Sequence, residues 1–169
     1  MLLGFSESSD ERAAMFVAFL LVYIITLLGN LIIIVLVIIT PKLHTPMYLF
    51  LLNLACLDLC SSSVTVPRML VDLLAKQKYI AVGECIAQVF AFIFFGGTEV
   101  FLLSVMCYDR YVAISQPLQY MIIMSRRVCL LLLGVSWMTG FMHSFILTMH
   151  VSQLPFCGDN VIDHFLCEI

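Results

Sequence analysis

The stretch Cys85–Ser115 reads CIAQVFAFIFFGGTEVFLLSVMCYDRYVAIS. It is apolar over most of its length, carries one acid, Glu99, near its middle, and ends just past Asp109-Arg110-Tyr111. In hydrocarbon every backbone N–H and C=O must find a partner within the segment, and about 20 apolar residues wound as a helix cross a bilayer core about 30 Å thick. The run therefore predicts a membrane-spanning helix.

Three further runs of the same kind flank it. Ala13–Ile39 is interrupted only by Thr26, Gly29 and Asn30 and stops at the Thr40-Pro41 break. Residues 47–74 are weaker in hydropathy, because they hold Asn53, Asp58, Ser61-Ser62-Ser63, Pro67 and Arg68. Residues 128–150 are bounded by Arg126-Arg127 before and Ser152-Gln153 after. The connections, 40–46, 75–84 and 116–127, are short, so neighbouring helices are expected to run antiparallel. A tail, 151–169, follows the fourth run. No linker, low-complexity segment or repeat marks a second unit, so a single all-α membrane bundle of four helices is predicted.

Composition agrees. The 169 residues are 63% hydrophobic and 11% charged, against about 45–50% and about 25% in soluble domains, and the mean hydropathy is +1.11. The net charge is −3 and there is no long basic run, which argues against nucleic acid as a partner. The N-terminus lacks the basic region and cleavage site of a signal peptide, so the first run is expected to remain as an anchor. No nucleophile–base pair, phosphate-cradling glycine loop or HExxH is present, and His44, His143, His150 and His164 are scattered. An enzyme is not indicated.

Lysine and arginine barely choose an orientation. With the N-terminus outside, the inner side holds Lys42, Arg110, Arg126 and Arg127, and the outer side holds Arg12, Arg68, Lys76 and Lys78. The cysteines discriminate better. Cys56, Cys60, Cys107 and Cys129 lie inside apolar runs as small hydrophobes, while Cys85, Cys157 and Cys167 fall together on one side without zinc-site spacing. A disulfide among them requires an oxidising compartment, which places that side and the N-terminus outside.

Ionisable groups at membrane depth are costly and are functional candidates by default. Asn30, Asp58 and Glu99 each sit near the middle of a different run. Two carboxylates facing one low-dielectric interior repel, so either one holds a proton or a cation lies between them. Glu99 and Arg110 are eleven residues apart, about three turns, and share a helix face, which is expected to point into the bundle.

Two long motifs make a family resemblance specific. MCYDRYVAISQPLQY (Met106–Tyr120) resembles the MAYDRYVAICxPLxY signature of the olfactory branch of rhodopsin-like G-protein-coupled receptors. LHTPMYLFLLNLACLDLC (Leu43–Cys60) resembles that branch's LHTPMYxFLxNLSxLDxC. Gly29-Asn30, Pro67-Arg68-Met69-Leu70, Cys85, Trp137 and CGDNVIDHFLCE (Cys157–Glu168) follow in register. Departures are Cys107, Ser115 and Gln116 in the first motif, and the lack of an N-x-[ST] sequon at any asparagine.

The resemblance implies a seven-transmembrane receptor fold of which four helices are present, with 151–169 opening the second extracellular loop. It implies a multi-pass plasma-membrane protein that binds a small volatile odorant and activates a heterotrimeric G protein, without a cofactor. It further implies a disulfide between Cys85 and Cys167, with Cys157 awaiting another partner. Asp109, Arg110 and Tyr111 would form the G-protein switch, with Asp109 holding Arg110 at rest. Asn30, Asp58 and Glu99 would form a polar site able to hold a structural sodium ion. An odorant pocket in the outer half of the third and fourth helices would be lined by Phe92, Ile93, Gly96, Gly97, His143, Ser144 and Leu147. With the fifth to seventh helices absent, the chain is not expected to signal alone. A truncated non-signalling product, or a four-span channel or transporter subunit with Asp58 and Glu99 as ion ligands, are the other readings.

Overall fold

The computed structural model describes residues 9–74 and 82–152. Helix α1 spans Ser9–Ile39, a 3-10 turn follows at Pro41–Leu43, and α2 spans Pro46–Leu74. Helix α3 spans Val82–Ser115, a one-turn α4 covers Tyr120–Ile123, and α5 spans Arg126–Ser152. Cys157 and Cys167 lie outside the described residues. Four of these helices, α1, α2, α3 and α5, are long and apolar enough to cross a membrane.

The breaks have local causes. Proline cannot continue a helix from its interior, and Pro41 ends α1 by opening the 3-10 turn. The carbonyls left over at the end of α1 still find partners. Thr40 N–H donates to Leu36 O at 3.1 Å, and the His44 ring lies 3.1 Å from Val37 O through Nε2. Pro46 then occupies the first position of α2, where its missing N–H costs nothing. Pro67 stands inside α2, a placement that membrane helices tolerate when neighbouring groups take up the freed carbonyl.

Hydroxyls in an apolar environment need partners too. Thr26, Thr98, Ser104, Ser115, Ser136 and Thr139 each donate to the carbonyl four residues back on their own helix. Asn30 and Asn53 do the same through their side-chain amides. These polar residues are thereby made compatible with lipid and need no cross-helix partner.

Packing centres on α3. It lies along both α5 and α2, while α1 packs against α2. The core is Phe50 and Leu57 of α2, Leu102 and Val112 of α3, Met124, and Cys129 and Leu133 of α5. Outside it the bundle is inverted relative to a soluble protein. Ile25, Leu28, Ile32 and Ile39 on α1 and Leu131, Val135 and Met138 on α5 are exposed, as befits surfaces that meet acyl chains.

In lipid no hydrophobic drive holds helices together, so close contact and hydrogen bonds must. Helices α3 and α5 approach closely at Thr98 and Gly140. A Cβ added to Gly140 would stand 3.1 Å from both Cα and Cβ of the fully buried Thr98. Near it the Ser144 hydroxyl donates to Phe90 O at 2.8 Å, bridging the two helices. Above the core Phe90, Phe94, Trp137 and Phe141 interlock, with ring centroids 5.7–6.2 Å apart. At one end of the bundle Arg68 of α2 pairs with Glu84 of α3 at 3.4 Å.

Candidate functional site

The signature run Met106–Tyr120 folds back on itself. Helix α3 continues to Ser115, the chain turns at Gln116-Pro117, and Gln119 N–H donates to Gln116 O at 3.1 Å. This turn delivers Tyr120 to the side of α3, where its hydroxyl donates to Asp109 Oδ1 at 2.8 Å. Asp109 is only 1% exposed, so the bond satisfies a buried carboxylate. Burial pushes the Tyr120 hydroxyl up to about 12, helped by its hydrogen bond to Asp109 and by that carboxylate's charge, with Arg110 pulling the other way. At neutral pH Tyr120 therefore remains a proton donor.

Arg110 goes elsewhere. Successive helix positions do not face one another, and Arg110, exposed, extends its guanidinium to the sulfur of Met47 at the start of α2. Among the described residues Asp109 takes Tyr120, not Arg110, as its partner. Tyr111 is 66% exposed beside it. Glu99 and Arg110 do fall on one side of α3, together with the exposed Phe92, Gly96, Val100, Leu103 and Ile114. Glu99, half-buried, lies toward Asp58 of α2 and Arg110 reaches Met47 of α2, so these two are at the edge of the α2 contact while their neighbours on that side are open.

At mid-depth Asp58 and Glu99 are half-buried and close enough for their charges to repel. Their oxygens are the hard donors an alkali cation takes. Asn30 is also half-buried, and its amide N–H goes to Thr26 O of its own helix. No group of three or more His, Cys, Asp or Glu able to hold a metal occurs among the described residues.

The residues expected to line a ligand pocket divide among three surroundings. Phe92 and Gly96 stand on the open side of α3, and nothing lies within 4 Å of a Cβ added to Gly96. Gly97 instead faces α5, at ordinary contact distance from His143 and Gly140. Ser144 is fully buried with its hydroxyl on Phe90 O, so it joins helices and offers a ligand nothing. Ile93 is half-buried, and His143 and Leu147 are exposed. A cleft of about 480 Å³ lies at the other end of the bundle, between the end of α1, the start of α2 and the start of α5.

Cys85 is buried and disulfide-bonded, whereas Cys56, Cys60, Cys107 and Cys129 are free. The expected partner, Cys167, lies outside the described residues. Three residues that matter here had no role in the sequence reading: Tyr120, Thr98 and Gly140. Gly140 carried a usable signal, since small residues in membrane helices mark close approaches.

Residues 29–169 match the family model described as 7 transmembrane receptor (rhodopsin family). The chain is 50% identical to human Olfactory receptor 4D1 over 169 residues, all of this chain and 54% of that relative. It is 52% identical to mouse Olfactory receptor 2B6, again over the whole chain and 54% of the relative, and 48% identical to human Olfactory receptor 4E1 over 98% of the chain and 53% of the relative. It thus spans about half the length of the curated relatives it matches. Four membrane-capable helices in this order, carrying this signature run, make the chain a multi-pass membrane protein that belongs to the rhodopsin family of seven-transmembrane receptors, in its olfactory branch.

Proposed function

We propose that this chain supplies the first four helices of an odorant-sensing receptor of the plasma membrane, which binds small volatile ligands and activates a heterotrimeric G protein. The N-terminus is extracellular, and the Asp109–Tyr120 end is cytoplasmic. The observation that carries this reading is the arrangement at that end. Asp109 is fixed by Tyr120, which leaves Arg110 and Tyr111 exposed to meet a partner. The chain transmits a change of shape and performs no chemistry on its ligand. It needs no cofactor.

Asp58 and Glu99 would hold a sodium ion between them, supplying the positive charge that two neighbouring carboxylates lack in a medium of low dielectric. The odorant would lie against the open side of α3, near Phe92 and Gly96, where the remaining helices of such a receptor would complete its wall. Apolar lining with few polar anchors suits a small volatile molecule.

The test uses a chimera in which this chain replaces the matching 169 residues of human Olfactory receptor 4D1, expressed with a cAMP reporter and exposed to a panel of volatiles. A response should appear, and Gly96→Leu should raise the effective agonist concentration roughly tenfold or more, about 1.4 kcal/mol of lost contact. Because nothing lies within 4 Å of the Gly96 Cβ position, surface expression should not change. An unaltered dose–response curve would place the ligand elsewhere.

A further inference from the structure

The cleft of about 480 Å³ plays no part in the reading above. Its walls are Val37 and Ile38 from the end of α1, Leu49 and Leu52 from α2, Met121 from α4 and Cys129 from α5. Its volume falls within the range of small-molecule sites, about 300–1,000 Å³. Ile38 and Met121 are 61% and 74% exposed although they line a concavity. The cleft also sits at a definite level. It lies where the apolar stretch Ala13–Ile39 ends and where Pro46–Val71 and Arg126–His150 begin, the depth at which lipid chains give way to headgroups.

Its charge is one-sided. Arg126 lines the cleft and is exposed, Arg127 and Lys42 neighbour it in sequence, and no carboxylate is among the lining residues. Asp109, at the same end of the bundle, is buried and engaged by Tyr120. His44 contributes its ring to Val37 O and so holds the corner between α1 and α2 in shape.

We infer that this cleft is a binding site for an anionic phospholipid of the cytoplasmic leaflet, with an acyl chain between α1, α2 and α5 and the phosphate on Arg126. A zwitterionic lipid would fill the same walls without net attraction to the cations, and a sterol would offer Arg126 only an uncharged hydroxyl in place of a phosphate. The leaflet assignment rests on the orientation proposed above, but the binding itself does not.

The experiment places the 169-residue chain in nanodiscs, whose two leaflets have the same composition, so that its orientation does not affect the result. The probe is phosphatidylserine carrying a diazirine on its acyl chain, compared with phosphatidylcholine carrying the same group. Phosphatidylserine should label peptides covering residues 43–52 and 121–129 roughly fivefold more than phosphatidylcholine for each cation engaged. High salt should shrink that preference. Arg126→Gln should bring the two lipids close to equality, and Arg126→Lys should retain most of the preference. Equal labelling by the two lipids in the wild-type chain would overturn the inference. So would labelling of the same peptides by a photoactivatable sterol that excess phosphatidylserine does not reduce. Loss of the preference in the full-length chimera would mean that the receptor's own helices fill the cleft, and would also overturn it. A failed odorant response alongside intact lipid preference would count against the receptor reading alone.

Discussion

Replacing Tyr120 by Phe removes one oxygen and leaves the Asp109 carboxylate, 1% exposed, without the donor 2.8 Å away. Side-chain hydrogen bonds between membrane helices average only about 0.6 kcal/mol, with a maximum near 1.7, because the unfolded reference also finds partners. A bond to a charged group is worth about 1.5–3 kcal/mol, and stranding a buried charge costs at least as much. Tyr120→Phe should therefore cost about 1.5–3 kcal/mol, read as a shift in SDS-induced unfolding of the chain in bicelles. A cycle with Asp109→Asn should return a coupling energy above the membrane average. The pH dependence has a definite sign. The Tyr120 hydroxyl is raised to about 12 from an ordinary value of about 10, so its contribution is complete below about pH 10 and is lost as pH rises through about 12. The tyrosinate absorbance of wild type minus Tyr120→Phe should then titrate near 12. A cost below about 0.5 kcal/mol, negligible coupling beside that membrane average, or a difference titration near 10 would refute the role given to this bond.

Two glycines should respond in opposite directions. Gly140→Val drives a side chain into Thr98 and should destabilise the chain by about 1–3 kcal/mol, whereas Gly96→Ala fills open space and should stabilise α3 by up to about 1 kcal/mol, both measured by the same unfolding assay. Non-reducing peptide mapping should join Cys85 to Cys167. Closing a loop of that length is worth roughly 4–5 kcal/mol in the chain-entropy model, so reduction should lower stability on that scale, and a Cys85–Cys157 peptide would reassign the bond.

Much of the fold could be read from the chain because the bilayer leaves so few choices. A run such as Ala13–Ile39 crosses the bilayer as a helix, and Pro41 just past it opens the turn that ends it. The one-turn helix Tyr120–Ile123 was not legible, since four apolar residues between two spans carry no periodicity. The site was legible in its residue types more than in its contacts. Asp109 and Arg110 are neighbours in sequence, which invites pairing them. A helix turns them apart, and the return of the chain at Pro117 brings Tyr120 to Asp109 instead. The family resemblance puts Ser144 in the ligand pocket. A carbonyl of α3 within 2.8 Å had the prior claim on it. Gly96-Gly97 read as a pair, yet helix geometry sends Gly97 toward α5 and Gly96 away from every neighbour.

The receptor reading depends most on Arg110, exposed at the end of α3, with Tyr120 and not Arg110 as the partner of Asp109. In the full-length chimera, Arg110→Ala should abolish the agonist-driven cAMP response while surface labelling stays at the wild-type level. A response of wild-type amplitude from that variant would contradict the assignment of this end of the bundle to G-protein coupling.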